Sequence, residues 1–264
     1  MRLGVMIPEA VRPFSTQAVL GALDLWTARS TAPELFPIWV IRRDGNWHLD
    51  PELVKAVQDR GIQPVLFVES TGASYVDILR GEHDTELHYL GCRIGKIGGL
   101  ITRWDQEPNG TGLGAAWQTP ESKALYVQVF RHVSQILRAD SDARLFYCPV
   151  GRQKNGVDEY RTYYPGDGCQ IVGFTMFSRT NEARRPQDQV RASVEEFQRL
   201  APGKPIIWGE AGRAADTDNR SRWLRDMNNV TGLYASLIFD LLVQDNQDDW
   251  RWNLAMYRTF ASLS

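Results

Sequence analysis

Arg2-Leu-Gly-Val-Met-Ile-Pro-Glu-Ala10 decides between the two α/β architectures open to this chain. It starts as a short apolar run, the pattern of a buried strand, and then passes into Pro8 and Glu9. A doubly wound open sheet carries a glycine-rich phosphate-binding turn directly after its first strand. Met6-Ile7-Pro8-Glu9-Ala10 contains no glycine. Seven more short runs follow, at 35–41, 63–69, 99–104, 144–150, 170–177, 205–209 and 233–239. Successive runs are separated by about one βα unit. Helical patterns lie between them at 16–28, 51–60, 120–137, 185–200, 221–229 and 252–263. Ser15 or Thr16 can cap the first, and Asp50 with Pro51 at the first helical position opens the second, which stops at Gly61. Tyr126, Val129, Phe130, Val133, Ile136 and Leu137 form a stripe at three-and-four spacing in the third. The expected fold class is therefore α/β, a (β/α)8 TIM barrel. That architecture typically takes about 250 residues. A chain of 264 residues then reads as one domain over 1–264, with no Ser- or Pro-rich linker to divide it.

Composition narrows the function classes. Apolar residues at 43% and charged residues at 23% are ordinary globular values, which excludes disorder, collagen and a simple coiled coil. The net charge of −2 leaves no bulk positive charge for nucleic acid, and no nucleic-acid partner is expected. No apolar run is long enough to span a membrane. Residues 3–7 are too short for the apolar region of a signal peptide, so the expectation is an intracellular chain as written, or a secreted one whose signal was removed. Cys92, Cys148 and Cys169 are far apart and odd in number, which argues against a disulfide framework. His48, His83, His88 and His132 show no ligand spacing, and His83 and His88 read as part of a solvated charged segment. Neither a Gly-x-Ser-x-Gly elbow nor a Gly-x-x-x-x-Gly-Lys loop is present, and no cofactor is implied.

In a barrel of this kind, functional groups cluster where strands end at the C-terminal face. Two carboxylates stand out there. Glu107 lies in Arg103-Trp-Asp-Gln-Glu-Pro-Asn-Gly110, after the fourth run, and Glu210 lies in Gly203-Lys-Pro-Ile-Ile-Trp-Gly-Glu-Ala-Gly212, at the seventh. Each is flanked by small or turn-forming residues that leave space. Paired carboxylates facing one cavity are what glycosidic bond cleavage requires, one to hold a proton and one to stay ionised. The alternative reading of each is a loop salt bridge or a helix cap.

The segment from Leu100 to Gly110, with Trp117 after it, resembles the Arg…His-Glu-Met-Asn-Gly…Trp segment of glycoside hydrolase family 26, whose members are β-mannanases and related β-glycanases of clan A. Lys204-Pro-Ile-Ile-Trp-Gly-Glu-Ala-Gly212 resembles that family's Lys-Pro…Glu-Phe-Gly nucleophile segment. Tyr163-Tyr-Pro-Gly-Asp167, with Ile171-Val-Gly173, is similar to its approach to the sixth strand. Gln106 stands where the family has His, and Pro108 where it usually has Met. The resemblance implies Glu107 as acid/base and Glu210 as nucleophile of a retaining enzyme. The two carboxyl groups are then about 5–5.5 Å apart, and Glu107 has a raised pKa in the free enzyme.

Supporting roles follow from the same placement. Arg103 can pair with Glu210, or alternatively with Asp105. Gln106 can meet a sugar hydroxyl through its amide. Asn109 can contact substrate or simply shape the turn before Gly110. Trp117, Trp208 and Trp250 fall near the expected mouth, where aromatic faces stack on pyranose rings, or they pack helices on the barrel. Glu69 can contact substrate or cap a helix. The expected partner is a β-linked polysaccharide or oligosaccharide, cut internally in an open cleft. A glycosidase-like component of bacterial exopolysaccharide processing and a non-catalytic sugar-binding barrel remain open. The sequence carries no sign of oligomeric state.

Overall fold

The computed structural model describes residues 1–7, 15–110, 119–151, 159–178, 185–213, 220–239 and 254–263. Eight parallel strands close into a barrel: β1 (Arg2–Met6), β2 (Leu35–Arg43), β4 (Gln63–Val68), β5 (Ile101–Trp104), β6 (Arg144–Tyr147), β7 (Ile171–Ser178), β8 (Ile206–Arg213) and β9 (Ala235–Phe239). Closure comes from β1, which pairs with β9 along its whole length and with β2 at Gly4–Leu35. The (β/α)8 expectation holds. One strand, β3 (Asn46–His48), was not anticipated. It folds back antiparallel on the end of β2 through Asp44-Gly45, both in the left-handed region. A two-residue Asp-Gly loop with φ positive at both positions matches the twist of a hairpin.

The outer helices form where capping and periodicity agree. The Ser15 side chain accepts from the Ala18 amide at the start of α1 (Thr16–Arg29). Asp50 caps α2 (Pro51–Gln58), accepting from the amides of Glu52 and Leu53. Thr119 caps α5 (Pro120–Asp140), whose stripe at Tyr126, Val129, Phe130, Val133, Ile136 and Leu137 is buried as its spacing demanded. Two helices were not read from the sequence: α3 (Tyr75–Leu79) and α4 (Asp84–Ile97). The charged surface of α4 masked its buried Leu87, Leu90 and Ile94. The His83–His88 segment is thus the start of a helix. Its histidines and their neighbours pair singly with carboxylates: His83 with Glu86, His88 with Asp140, His132 with Asp84. No group of three or more metal-ligating side chains occurs among the described residues. Glu159–Tyr163 forms α6, Pro186–Leu200 α7, Arg220–Met227 α8 and Leu254–Ala261 α9.

Two apolar layers result from strand alternation. Leu35, Val65, Phe67, Ile101, Phe146, Ile171, Ile207, Ala235 and Leu237 fill the barrel interior. Their neighbours in sequence, among them Phe36, Leu66, Trp104, Tyr147, Phe174 and Trp208, pack outward against the helices. No helix of the described residues is long and apolar enough to cross a membrane.

Candidate active site

The site begins with a break in strand register. Phe174 of β7 pairs with Trp208 of β8, but the next residue, Thr175, pairs with Glu210. On the other side Trp208 pairs with Ser236 and Ala211 with Ile238, so β8 carries one extra residue. The extra residue is Gly209, and the irregularity is a β-bulge. It lets two successive residues face inward. A Cβ on Gly209 would lie 2.6 Å from the Cys148 Sγ and 2.9 Å from the Phe146 ring, both interior groups. Glu210, next in the chain, also points inward and meets Arg103. Trp208 faces outward on one side of the bulge and Ala211 on the other.

Arg103 lies on β5 with Ile101 on its inward side, two residues earlier. Its guanidinium carbon rests 3.3 Å from the centre of the Phe67 ring. Its Nη1 forms an ion pair with Glu210 Oε1 at 2.7 Å, with both side chains buried. The Arg103 guanidinium also donates to the Gln106 side-chain oxygen. Arg103 therefore pairs with Glu210, not with Asp105.

Glu107 arrives by a strained turn. Asp105 and Glu107 both have positive φ, at 32° and 53°, a region that non-glycine residues rarely occupy. Surrounding bonds over-determine the conformation. The Asp105 amide donates to Val68 O, the Glu107 amide to Cys148 O, and the Gly110 amide to Glu107 O. The buried Asp105 carboxylate accepts from the Ser70 amide at 2.8 Å and from the Tyr75 hydroxyl at 2.7 Å. Asn109 clamps the far side, accepting from the Val150 amide and donating to the Val150 carbonyl. Held this way, Glu107 accepts from the hydroxyl of Thr175, an inward residue of β7.

The electrostatics follow from burial. The Glu210 carboxyl stands at about 7: burial is the main push upward, Arg103 opposes it, and the negative charge of Glu107 adds to the rise. Burial also raises Glu107, opposed by the Thr175 hydrogen bond and by Arg103. Asp105 is pushed up to about 7, chiefly by burial. The two glutamates thus share one electrostatic environment, and the ion pair to Arg103 favours charge on Glu210.

The sequence-derived residues divide clearly. Glu107, Glu210, Arg103 and Gln106 come together at the C-terminal mouth of the barrel. Asn109 adjoins them, with its amide engaged by Val150. Trp208 is a correction: it is fully buried between barrel and helices, its indole N–H donates to Met176 O, and its ring packs against Phe174 and Trp223. Adjacency to Glu210 suggested a place in the mouth, and the bulge turns the two side chains to opposite faces. Trp117 and Trp250 lie outside the described residues. Sequence reasoning missed Thr175, Trp39 and the Asp105–Tyr75 clamp. Alternation along each strand would have pointed to the first two, since Thr175 follows Ile171 and Gly173, and Trp39 follows Leu35 and Pro37, on the inward side.

No family model matches the chain, and no curated protein matches it in sequence. Solved structures do match in fold. A GH26 β-mannanase from Bacteroides ovatus superposes with a TM-score of 0.66 at 15% identity, covering 100% of this chain and 88% of that one. A GH113 β-1,4-mannanase gives 0.61 at 11% identity, covering 100% and 98%. Xylanase B from Clostridium stercorarium F9 gives 0.61 at 12%, covering 99% and 96%. At these identities the likeness establishes the shared barrel.

Proposed function

We propose that this protein is a retaining glycoside hydrolase acting internally on a β-linked polysaccharide or oligosaccharide. The observation that carries the reading is the Arg103–Glu210 ion pair at the barrel mouth, with Glu107 coupled to it electrostatically. The mannanase and xylanase folds support the class, and the family 26 resemblance supports the roles. A β-mannan or β-glucan is the favoured polymer.

The chemistry follows from the two environments. Glu210, ion-paired with Arg103, attacks the anomeric carbon. The glycosidic C–O bond breaks and its oxygen takes the proton that Glu107 holds. A covalent glycosyl ester on Glu210 results. Esterification removes the charge of Glu210, which had favoured the protonated form of Glu107, so Glu107 becomes a stronger acid and rests ionised. It then takes a proton from water, the water oxygen attacks the anomeric carbon, and Glu210 leaves as a carboxylate. The Thr175 hydroxyl bonded to Glu107 orients the acid/base. No redox step or cofactor enters this sequence.

The test is covalent trapping. Activated 2-deoxy-2-fluoro β-glycosides should add the mass of one fluoroglycosyl group to Glu210. Glu107→Ala and Glu210→Ala should both lose turnover on the polysaccharide that an array identifies. Wild type and both variants behaving alike on every substrate would refute the paired-carboxylate reading.

A further inference from the structure

We infer that Glu69 and Trp39 form a sugar subsite at the mouth of the barrel beside the two glutamates, taking a neutral pyranose ring by bonding its hydroxyls to the Glu69 carboxylate. The inference rests on the glycosidase reading and adds to it the part of the site that grips the ring. Glu69 continues the inward side of β4 after Val65 and Phe67, and Trp39 the inward side of β2 after Leu35. Both are half-buried, so each keeps a face toward the mouth.

Four bonds hold Glu69 in place. Its amide donates to Val40 O, its carbonyl accepts from the Trp47 indole N–H at 2.9 Å, its carboxylate Oε1 accepts from the Trp39 indole N–H at 3.1 Å, and its Oε2 accepts a long bond of 3.5 Å from the Thr71 hydroxyl. Trp47 belongs to the β3 hairpin, which thereby buttresses the site from outside the barrel. The Trp47 N–H is buried and needs a partner. Trp39 is only half-buried, so its bond orients the carboxylate more than it satisfies a dry donor.

A line of contacts then runs to the reacting groups. The Trp39 ring meets the Phe67 ring edge-on, with centroids 4.7 Å apart, and Phe67 lies under the Arg103 guanidinium. Glu69 also acts electrostatically on the Glu210 and Asp105 carboxyls, raising both, which puts its charge within reach of the site. A carboxylate that accepts one indole N–H and one long hydroxyl bond still offers lone-pair sites on both oxygens. Adjacent ring hydroxyls are donors of matching reach, and bonds to a charged acceptor are the stronger kind. The half-exposed indole beside it offers apolar surface to the sugar's C–H groups. A further carboxylate at the mouth also disfavours a uronate ring.

The test uses aryl β-glycosides of the sugar identified by the array, together with analogues lacking one ring hydroxyl each. Wild-type turnover of the parent glycoside establishes the glycosidase reading; its absence on every glycoside overturns that reading and this inference with it. Given turnover, Glu69→Ala should lower kcat/KM about 100-fold and Glu69→Gln about tenfold, the range expected for bonds to a charged acceptor. At least one deoxy analogue should be a poor substrate for wild type yet lose no more with Glu69→Ala than wild type already loses. A loss under twofold in both Glu69 variants overturns the inference while the glycosidase reading stands. So does an undiminished deoxy penalty at every position in both variants, because Glu69 then touches none of those hydroxyls. Trp39→Phe removes the indole donor and should raise KM with a smaller change in kcat.

Discussion

Arg103→Met isolates the charge term at the centre of the site. Methionine keeps a long side chain over Phe67 but leaves Glu210 without its cation. In the native protein burial and neighbouring charge hold the Glu210 carboxyl at about 7, above the ordinary 4.5, with Arg103 as the opposing influence. A carboxyl whose folded pKa is raised contributes stability that is full below the unfolded value and is lost as pH rises through the folded value. Between pH 6 and 8.5 the native protein loses this stability only up to about pH 7 and is then level. The variant carboxyl, lacking the cation, should stay protonated through pH 8.5 and keep drawing stability away over the whole interval. The extra interval is about 1.5 pH units, and at about 1.36 kcal/mol per unit the gap between variant and native protein widens by up to about 2 kcal/mol. For a chain of this size that corresponds to roughly 4 °C in Tm. Thermal unfolding followed by circular dichroism at the two pH values reads it directly. Comparing the gap across pH removes any constant cost of altered packing. A Tm difference between variant and native protein that is the same at pH 6 and pH 8.5 would refute the account, because Arg103 would then act through packing alone.

Two further outcomes are expected. Gly209→Ala drives a Cβ against the Cys148 Sγ and the Phe146 ring, an overpacking expected to cost about 1–3 kcal/mol in urea denaturation and to lower kcat by displacing Glu210; adding Cys148→Ala should recover most of both, and no recovery would place the strain elsewhere. Glu107→Gln ends the sharing of one charge between the two carboxyls, so the acidic limb of the pH dependence of fluoroglycoside labelling, near 7 in the native protein, should move to lower pH; a limb that stays in place would mean the two carboxyls do not interact.

Regular features were legible in the chain and irregular ones were not. The eight runs and the α5 stripe follow from alternation and three-and-four spacing, which survive in any sequence that must bury one face. The position of Glu107 and Glu210 at the mouth was legible too, because each closely follows such a run. What escaped was whatever depends on a single residue of register. Gly209 looks like a spacer, and nothing local distinguishes a bulge from one more strand residue. That one residue sends Trp208 outward and Glu210 inward. The Asp105-Gln106-Glu107 turn was equally opaque, since its left-handed residues are held by Ser70, Tyr75 and Cys148, all distant in the chain. The β3 hairpin is signalled only by the dipeptide Asp44-Gly45.

The clamped turn and the bulge bear on transplanting this chemistry. Neither glutamate occupies a regular strand position, so copying the two acidic residues onto another eight-stranded scaffold would aim them wrongly. A working graft would have to carry Gly209 as an inserted residue, and the Ser70–Tyr75–Asp105 and Asn109–Val150 tethers along with Glu107. The portable unit is a pair of backbone irregularities with their anchors, and the acids are its passengers.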